Sequence, residues 1–367
     1  MRIFAVGGSV RDALMGIECN DHDYVVVGST EQEMLDAGFK NVGAAFPVFL
    51  HPETGDEYAL ARREKKIGPG YKGFAVEFDS DVTLTDDLGR RDLTLNCMAQ
   101  DIHNRDHLYD PFNGLDDLHN RVLRHATDAF KEDPLRVVRL ARFYARFTDF
   151  TIAPETVEFA KEIVDSGEMD TLSDERFWAE MEKMFNQSGD PYRFFEALWN
   201  FGAITKVKFF KDIFGDVDIF WLKEAERVCV NIGHSYADDR AVIFTALMSS
   251  GLMKSVALPT RAIKLAENIA FVRAMAPVAP EKIVGLINAN RGWNTNNKNM
   301  GLLFDCIAVS ALGGEAFPVS LSLLMDCQEA GTSLDVDGYL HLPGKEIGIA
   351  LVNDRLVAVR KVMEKFK

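Results

Sequence analysis

The chain has no apolar run approaching the roughly 18 residues of a membrane-crossing helix, and its opening MRIFAVGG is too short and glycine-broken for a secretory signal. A cytoplasmic protein with no membrane partner is the expectation. Cysteine is sparse: five residues, widely spaced and without a C-x-x-C pair, which argues against a disulfide framework or a zinc site and for reduced, structural thiols. A basic surplus is missing as well. The net charge is −15 and neither the first 150 residues nor the remainder is basic, so any polyanion must be held by local patches rather than by a broad surface. Internal repeats, low-complexity tracts and long linkers are absent.

What is present fills two or three domains: 367 residues at 47% hydrophobic content. Before about residue 130, β-rich runs (RIFAVGG, DYVVVG, FPVFLHP, EYALAR) alternate with helical stretches and glycine turns, the pattern of an α/β sheet domain. Beyond it, helical periodicity takes over. SDERFWAEMEKMF puts Phe177, Met181, Met184 and Phe185 at helical spacing, and PYRFFEALWNFG stops at Gly202. The joint between the two parts is expected to be a helix. Basic residues concentrate in 121–146, from Arg121 to Arg146, and at Arg62, Arg63, Lys65, Lys66 and Lys72.

The stretch GGSVRDALMGIECNDHDYVVVG, residues 7–28, carries the first chemistry. RIFAV reads as a strand and GGS as a turn whose glycines let a ligand approach the backbone before a short helix beginning near Val10. Arg11, in the first turn of that helix, could share the same phosphates. Asp21 and Asp23 are two apart and project together from the lip of a strand, where like charges call for a cation. Mg²⁺ suits them, since it takes one or two carboxylates and completes its shell with water and phosphate oxygens. An EF-hand is excluded because Val25 and Val26 stand where an oxygen ligand and a glycine are required. The plainer alternatives are a simple turn and a solvated loop with two incidental acids.

In EDPLR, Asp133 and Arg136 are three apart and would share a helix face, an acceptor-only carboxylate beside a donor-only guanidinium. That pair complements the pairing edges of cytosine and adenine, which present an amine beside a bare ring nitrogen, and rejects uracil and guanine. Alternatively Asp133 is an N-cap ahead of Pro134 at the first helical position. Arg139, Arg142 and Arg146 continue the helix with no acid among them, which points to an anion-binding face unless they pair with the protein's own carboxylates. Asp92 and Asn96 could read a ribose hydroxyl, Glu57 is a candidate third acid near the metal, and GPGYKGF reads as a flap or a plain hairpin loop.

GGSVRDALMG followed by NDHDYVVVG resembles the nucleotidyltransferase head of the polymerase-β superfamily, specifically the class II tRNA nucleotidyltransferases, or CCA-adding enzymes. The resemblance runs on through GAAFPVFLHP, EYALARREKK, GPGYKGF, DDLGRRDLTLNCMAQD, YDPFNGLDDL and EDPLRVVRLARF. It implies an α+β fold: a catalytic head with a small mixed sheet over 1–130, a helical neck and body over 131–225, and a helical tail over 226–367. It also implies template-independent transfer of CMP and AMP from CTP and ATP to a tRNA 3′ end. Gly8, Arg11, Arg91, Asp133, Arg136 and Arg139 would bind the nucleotide, and Asp21 and Asp23 would be the catalytic metal ligands for Mg²⁺.

The sequence departs from the family in two places. Many relatives carry a His-Asp phosphohydrolase tail, whereas the only adjacent His-Asp here is His22-Asp23 and His234 stands alone; no phosphatase activity is expected, and the tail reads as scaffold or tRNA-binding surface. Ala44-Ala45 replaces residues that are often polar. The rival readings are a poly(A) polymerase, a partial CC- or A-adding enzyme, and, more distantly, a D-x-D glycosyltransferase, for which only 20 residues precede the motif.

Overall fold

The computed structural model describes residues 1–19, 22–43, 47–66, 74–77, 80–104, 107–232, 239–249, 256–294, 298–312, 317–335, 337–339 and 341–366. Asp21, Ala44-Ala45, most of GPGYKGF and His234 lie outside the described residues. The chain divides into two compact units, Met1–Glu180 with Gln187–Val207, and Met181–Asn186 with Lys208–Lys367.

The first unit is built on β1 (Arg2–Val6), α1 (Gly8–Leu14), β2 (Asp23–Val27), α2 (Glu31–Asp36), β3 (Lys40–Asn41), β4 (Val48–Leu50) and β5 (Glu57–Leu60). There follow the hairpin β6 (Arg63–Lys66) and β7 (Phe74–Glu77), α3 (Leu84–Gly89), β8 (Ala99–Asp101) and β9 (Leu108–Tyr109). Seven strands form one mixed sheet in the order β3-β4-β5-β2-β1-β8-β9. Among the described residues its one parallel pair is β2 with β5, in which Asp23 is the register partner of Glu57. The valine run of β2 makes sense in this setting. Successive side chains of a strand point to opposite faces, and Val25 enters one core with Phe4, Val6 and Leu88, while Val26 enters another with Met34, Phe49 and Leu60.

The rest of the unit is helical apart from one short pairing. After α4 (Gly114–Asn120), β10 (Val122–Leu123) runs parallel to β11 (Thr151–Ile152), and these bracket α5 (Leu135–Arg146). α5 lies within this unit and is preceded by a 3₁₀ turn over Asp128–Glu132. Its apolar side, including Val137, Val138, Leu140 and Ala141, is fully buried. α6 (Pro154–Ser166), α7 (Asp174–Gln187), α8 (Pro191–Asn200) and α9 (Ala203–Lys206) follow. On α7, Phe177, Met181, Met184 and Phe185 are buried as their spacing predicts, and Gly202 ends α8 in the left-handed conformation at φ 83°.

In the second unit the described elements, apart from a short 3₁₀ turn at Asp337–Tyr339, are α10 (Lys208–Phe214), α11 (Ile219–Ile232), α12 (Arg240–Met248), α13 (Thr260–Arg273), α14 (Pro280–Ala289), α15 (Lys298–Leu312), α16 (Leu321–Thr332) and α17 (Gly344–Lys365). Phe210, Phe244, Ile269, Leu303 and Leu324 are among the residues filling its core. Among the described residues no helix is long and apolar enough to cross a membrane. None of the five cysteines is in a disulfide among the described residues, and four are buried.

Candidate functional site

A cleft of about 470 Å³ opens in the first unit where the β1–α1 turn, the start of β2, the segment after α3, and helices α5 and α7 converge. Nine of its lining residues are arginines and three are aspartates. In a chain of net charge −15, this is where positive charge has been gathered.

The turn that opens the cleft requires glycine. Gly7 has φ 70°, and a Cβ there would sit 2.9 Å from Nη1 of Arg91, a conformation and a clearance that only glycine meets without strain. Its amide donates to the carbonyl of Met98 at 3.2 Å, which ties the turn to the segment carrying Arg91, Asp92 and Asn96.

Three of the four arginines that enter the cleft from α5 are each held by a carboxylate far away in sequence. Arg139 reaches Asp92 at 2.7 and 2.8 Å, Arg142 reaches Glu180 at 2.6 Å, and Arg146 reaches Asp12 at 2.9 Å. Arg90 and Arg91 share the fully buried Asp87, at 2.7 and 3.1 Å. Burial alone would raise the carboxyl pKa of Asp87 and Asp92, but the guanidiniums outweigh it. Arg90 and Arg91 hold Asp87 below the usual carboxylate range, and Arg139, Asn96 and Arg136 hold Asp92 well below it. These acids fix long flexible side chains in one orientation, so the salt-bridged alternative holds for Arg139, Arg142 and Arg146.

The structure brings the sequence-predicted residues together. Gly8, Arg11, Asp23, Arg91, Asp133, Arg136 and Arg139 all line the one cleft; Asp21 is not among the described residues. Asp23 is exposed at the start of β2, beside the exposed Glu57. Asp92 and Asn96 also line the cleft but bond to each other at 2.9 Å, and Asn96 accepts from Arg11.

The geometry differs from expectation at Asp133. It does not lie on a helix with Arg136, because Pro134 holds it in an extended conformation, φ −113° and ψ 105°, and α5 begins only at Leu135. One oxygen of Asp133 accepts from the Leu135 amide at 3.1 Å, a cap on the helix start, and the other accepts from Arg176 at 2.9 Å. Arg136 donates to the backbone carbonyls of Ala129 and Arg90. The two side chains therefore reach the cleft held by separate partners.

Sequence reasoning missed Asp12, Asp87, Glu180 and Arg176. For the last two a signal existed. Arg176 and Glu180 are four apart on an amphipathic helix, and Glu180 is 3% exposed, a burial that a charged side chain accepts only when paired.

Among the described residues no three His, Cys, Asp or Glu side chains cluster as a metal site. Asp23 nonetheless fits a cation held partly by substrate. Its exposed carboxylate accepts no hydrogen bond among the described residues, and it lines the cleft together with Arg91.

Comparison with known proteins bears on both parts of the chain. Residues 3–124 match the family described as Poly A polymerase head domain, and residues 149–211 match the probable RNA and SrmB-binding site of polymerase A. A Multifunctional CCA protein of Acidovorax ebreus (strain TPSY) is 53% identical over 209 residues, 56% of this chain and 49% of that protein. One from Paraburkholderia phymatum is 51% identical over 211 residues, 56% of this chain and 50% of that protein. The chain thus spans about half the length of these curated relatives. Among solved structures, a CCA-adding enzyme in apo form II covers 100% of this chain and 91% of its own at a TM-score of 0.70 and 21% identity. The Thermotoga maritima CCA-adding enzyme complexed with tRNA covers 100% and 92% at 0.65 and 21%. At such identities the likeness is one of fold. By sequence and by fold alike, this chain resembles the CCA-adding nucleotidyltransferases.

Proposed function

We propose that the chain adds CCA to the 3′ end of tRNA, using CTP and ATP and releasing pyrophosphate. The observation that carries this reading is the convergence of Gly8, Arg11, Asp23, Arg91, Asp133, Arg136 and Arg139 on one arginine-lined cleft. A nucleoside triphosphate offers that cleft the polyanion its guanidiniums complement. Nε of Arg91 is buried without a hydrogen-bond partner among the described residues, and such an unmet donor is stabilised by an arriving phosphate oxygen. The open turn at Gly7 and Gly8 lets phosphate approach the backbone closely.

Asp23, with Asp21, would hold Mg²⁺. Bound there, the metal would lower the pKa of the terminal ribose hydroxyl and stabilise the leaving pyrophosphate. Asp133 would accept the exocyclic amine of cytosine or adenine and Arg136 would donate to the adjacent ring nitrogen, which uracil and guanine cannot satisfy. Arg176 pairs with Asp133 at 2.9 Å and orients that carboxylate. On this reading residues 1–130 are the catalytic head, 131–225 read the base, and 226–367 bind tRNA, in a protein that works in the cytoplasm. The name of the family matched by the head keeps a poly(A) polymerase as the second reading.

The test offers each of four labelled nucleoside triphosphates, with Mg²⁺, to a tRNA lacking its last three nucleotides. Only CTP should be incorporated alone, and ATP only once unlabelled CTP is present. Direct incorporation of ATP would favour the poly(A) reading. Asp23→Ala should abolish transfer in a protein that remains folded; retained transfer would remove the metal assignment.

A further inference from the structure

Asp12 follows Arg11 on α1, and its carboxylate is 8% exposed. Such a group is costly in the interior unless it is paired, and this one is paired twice. One oxygen accepts from Nε and Nη2 of Arg11 at 2.8 and 2.7 Å. The other accepts from Nη2 of Arg146, in the last turn of α5 and 134 residues away, at 2.9 Å. Both guanidiniums line the cleft, and both lie against the ring of Phe147, at 5.3 and 5.1 Å.

Without Asp12 the two guanidiniums would repel across the gap between α1 and α5. Burial lowers the pKa of Arg11, Asp12 counters it, and Arg146 adds to the lowering. Arg11 is anchored on its far side too. It donates to Asn96, which donates to Asp92, which accepts from Arg139. Asp12 is thus the link that joins Arg146 to this chain of bonds.

We propose that Asp12 is a positioning residue that holds Arg11 and Arg146 together, side by side at the cleft wall, so that both meet the polyphosphate of the nucleotide. The proposal rests on the cleft being the nucleotide site. It adds Arg146 to the phosphate-contacting groups and makes that contact conditional on a carboxylate that touches no ligand itself.

The test measures CTP binding to the full chain by calorimetry, with Mg²⁺ and without tRNA, in wild type, Asp12→Asn, Asp12→Glu, Arg146→Met and Asp12→Asn/Arg146→Met. Folding is checked by circular dichroism. Asp12→Asn should weaken CTP binding by about tenfold or more, with Asp12→Glu recovering most of the loss because it keeps the charge. In the Arg146→Met background the further effect of Asp12→Asn should fall to a small part of that, since neighbours acting through one another are not additive. Unchanged binding in Asp12→Asn, or full additivity with Arg146→Met, would overturn the proposal. Should Asp12→Asn not fold, Arg146→Met decides alone: about tenfold weaker CTP binding supports the proposal and unchanged binding ends it. If wild type binds no nucleoside triphosphate, the nucleotide reading itself fails along with the proposal, an outcome distinct from a wild type that binds while Asp12→Asn binds equally well.

Discussion

Asp92 is a carboxylate 5% exposed that accepts from Asn96 and Arg139 and from its neighbour's amide. Replacing it with alanine leaves Arg139 without its main partner, and breaking a pair of this kind costs about 3 kcal/mol, to be read as a lowered urea midpoint at an unchanged m-value. The pH dependence follows from the same contacts. Asp87 and Asp92 have folded pKa values below the usual range, so their contribution is fully present above the unfolded value of about 4 and is lost as pH falls below it. Urea melts at pH 7, 5, 4 and 3 should show stability from these groups holding to about pH 5 and then declining. In Asp92→Asn the decline should be shallower, and equal slopes would show that Asp92 is not the linked group. Thiol chemistry gives a second check at this scale. Burial pushes the Cys327 thiol up to about 12, Cys97, Cys229 and Cys306 are also buried, and Cys19 is half-buried. One fast-reacting thiol per native chain is expected with a disulfide reagent at neutral pH, since thiolate is the reactive form; several would contradict the packing.

At the scale of elements, strands of the sheet were legible because they rest on local rules, whereas α1 begins at Gly8, two residues ahead of the Val10 that the sequence suggested. RIFAV and DYVVV are strands, and GGS needed glycine at Gly7 for the left-handed turn. Gly7→Ala should therefore cost about 1–3 kcal/mol and displace Arg91, weakening nucleotide binding beyond what the loss of stability explains. CTP titration of the folded variant checks this, and wild-type affinity would mean Arg91 is not a ligand. Of the two readings the sequence offered for Asp133, the cap holds: the residue before a proline is driven from the helical region, α5 begins at Leu135, and Asp133 caps the helix instead of riding on it. The distant pairing of α5 was not legible. The α5 arginines looked unpaired because their carboxylates lie 47, 38 and 134 residues away, and pairing at such distance leaves no trace in local pattern. α7 did carry a trace, in the four-residue spacing of Arg176 and Glu180.

Across the whole molecule, an acidic chain gathers arginines at one cleft, the buried acids beneath them set its shape, and the proposed ligand is a polyanion. Nucleic acid should then be bound through few phosphates, giving a shallow dependence of tRNA affinity on salt compared with a protein that has a broad basic surface. Arg136→Ala should relax the preference for CTP and ATP over UTP and GTP while leaving CTP affinity within about tenfold, because one of two base contacts is lost and the phosphate contacts remain. The central claim is that this cleft builds a short defined end and then stops. The most direct measurement incubates the chain with CTP, ATP and Mg²⁺ and with tRNAs ending before the first C, after CC and after CCA, sizing the products at single-nucleotide resolution. The account predicts additions of three, one and no nucleotides; long adenylate tails, or extension of the CCA-ended tRNA, would contradict it.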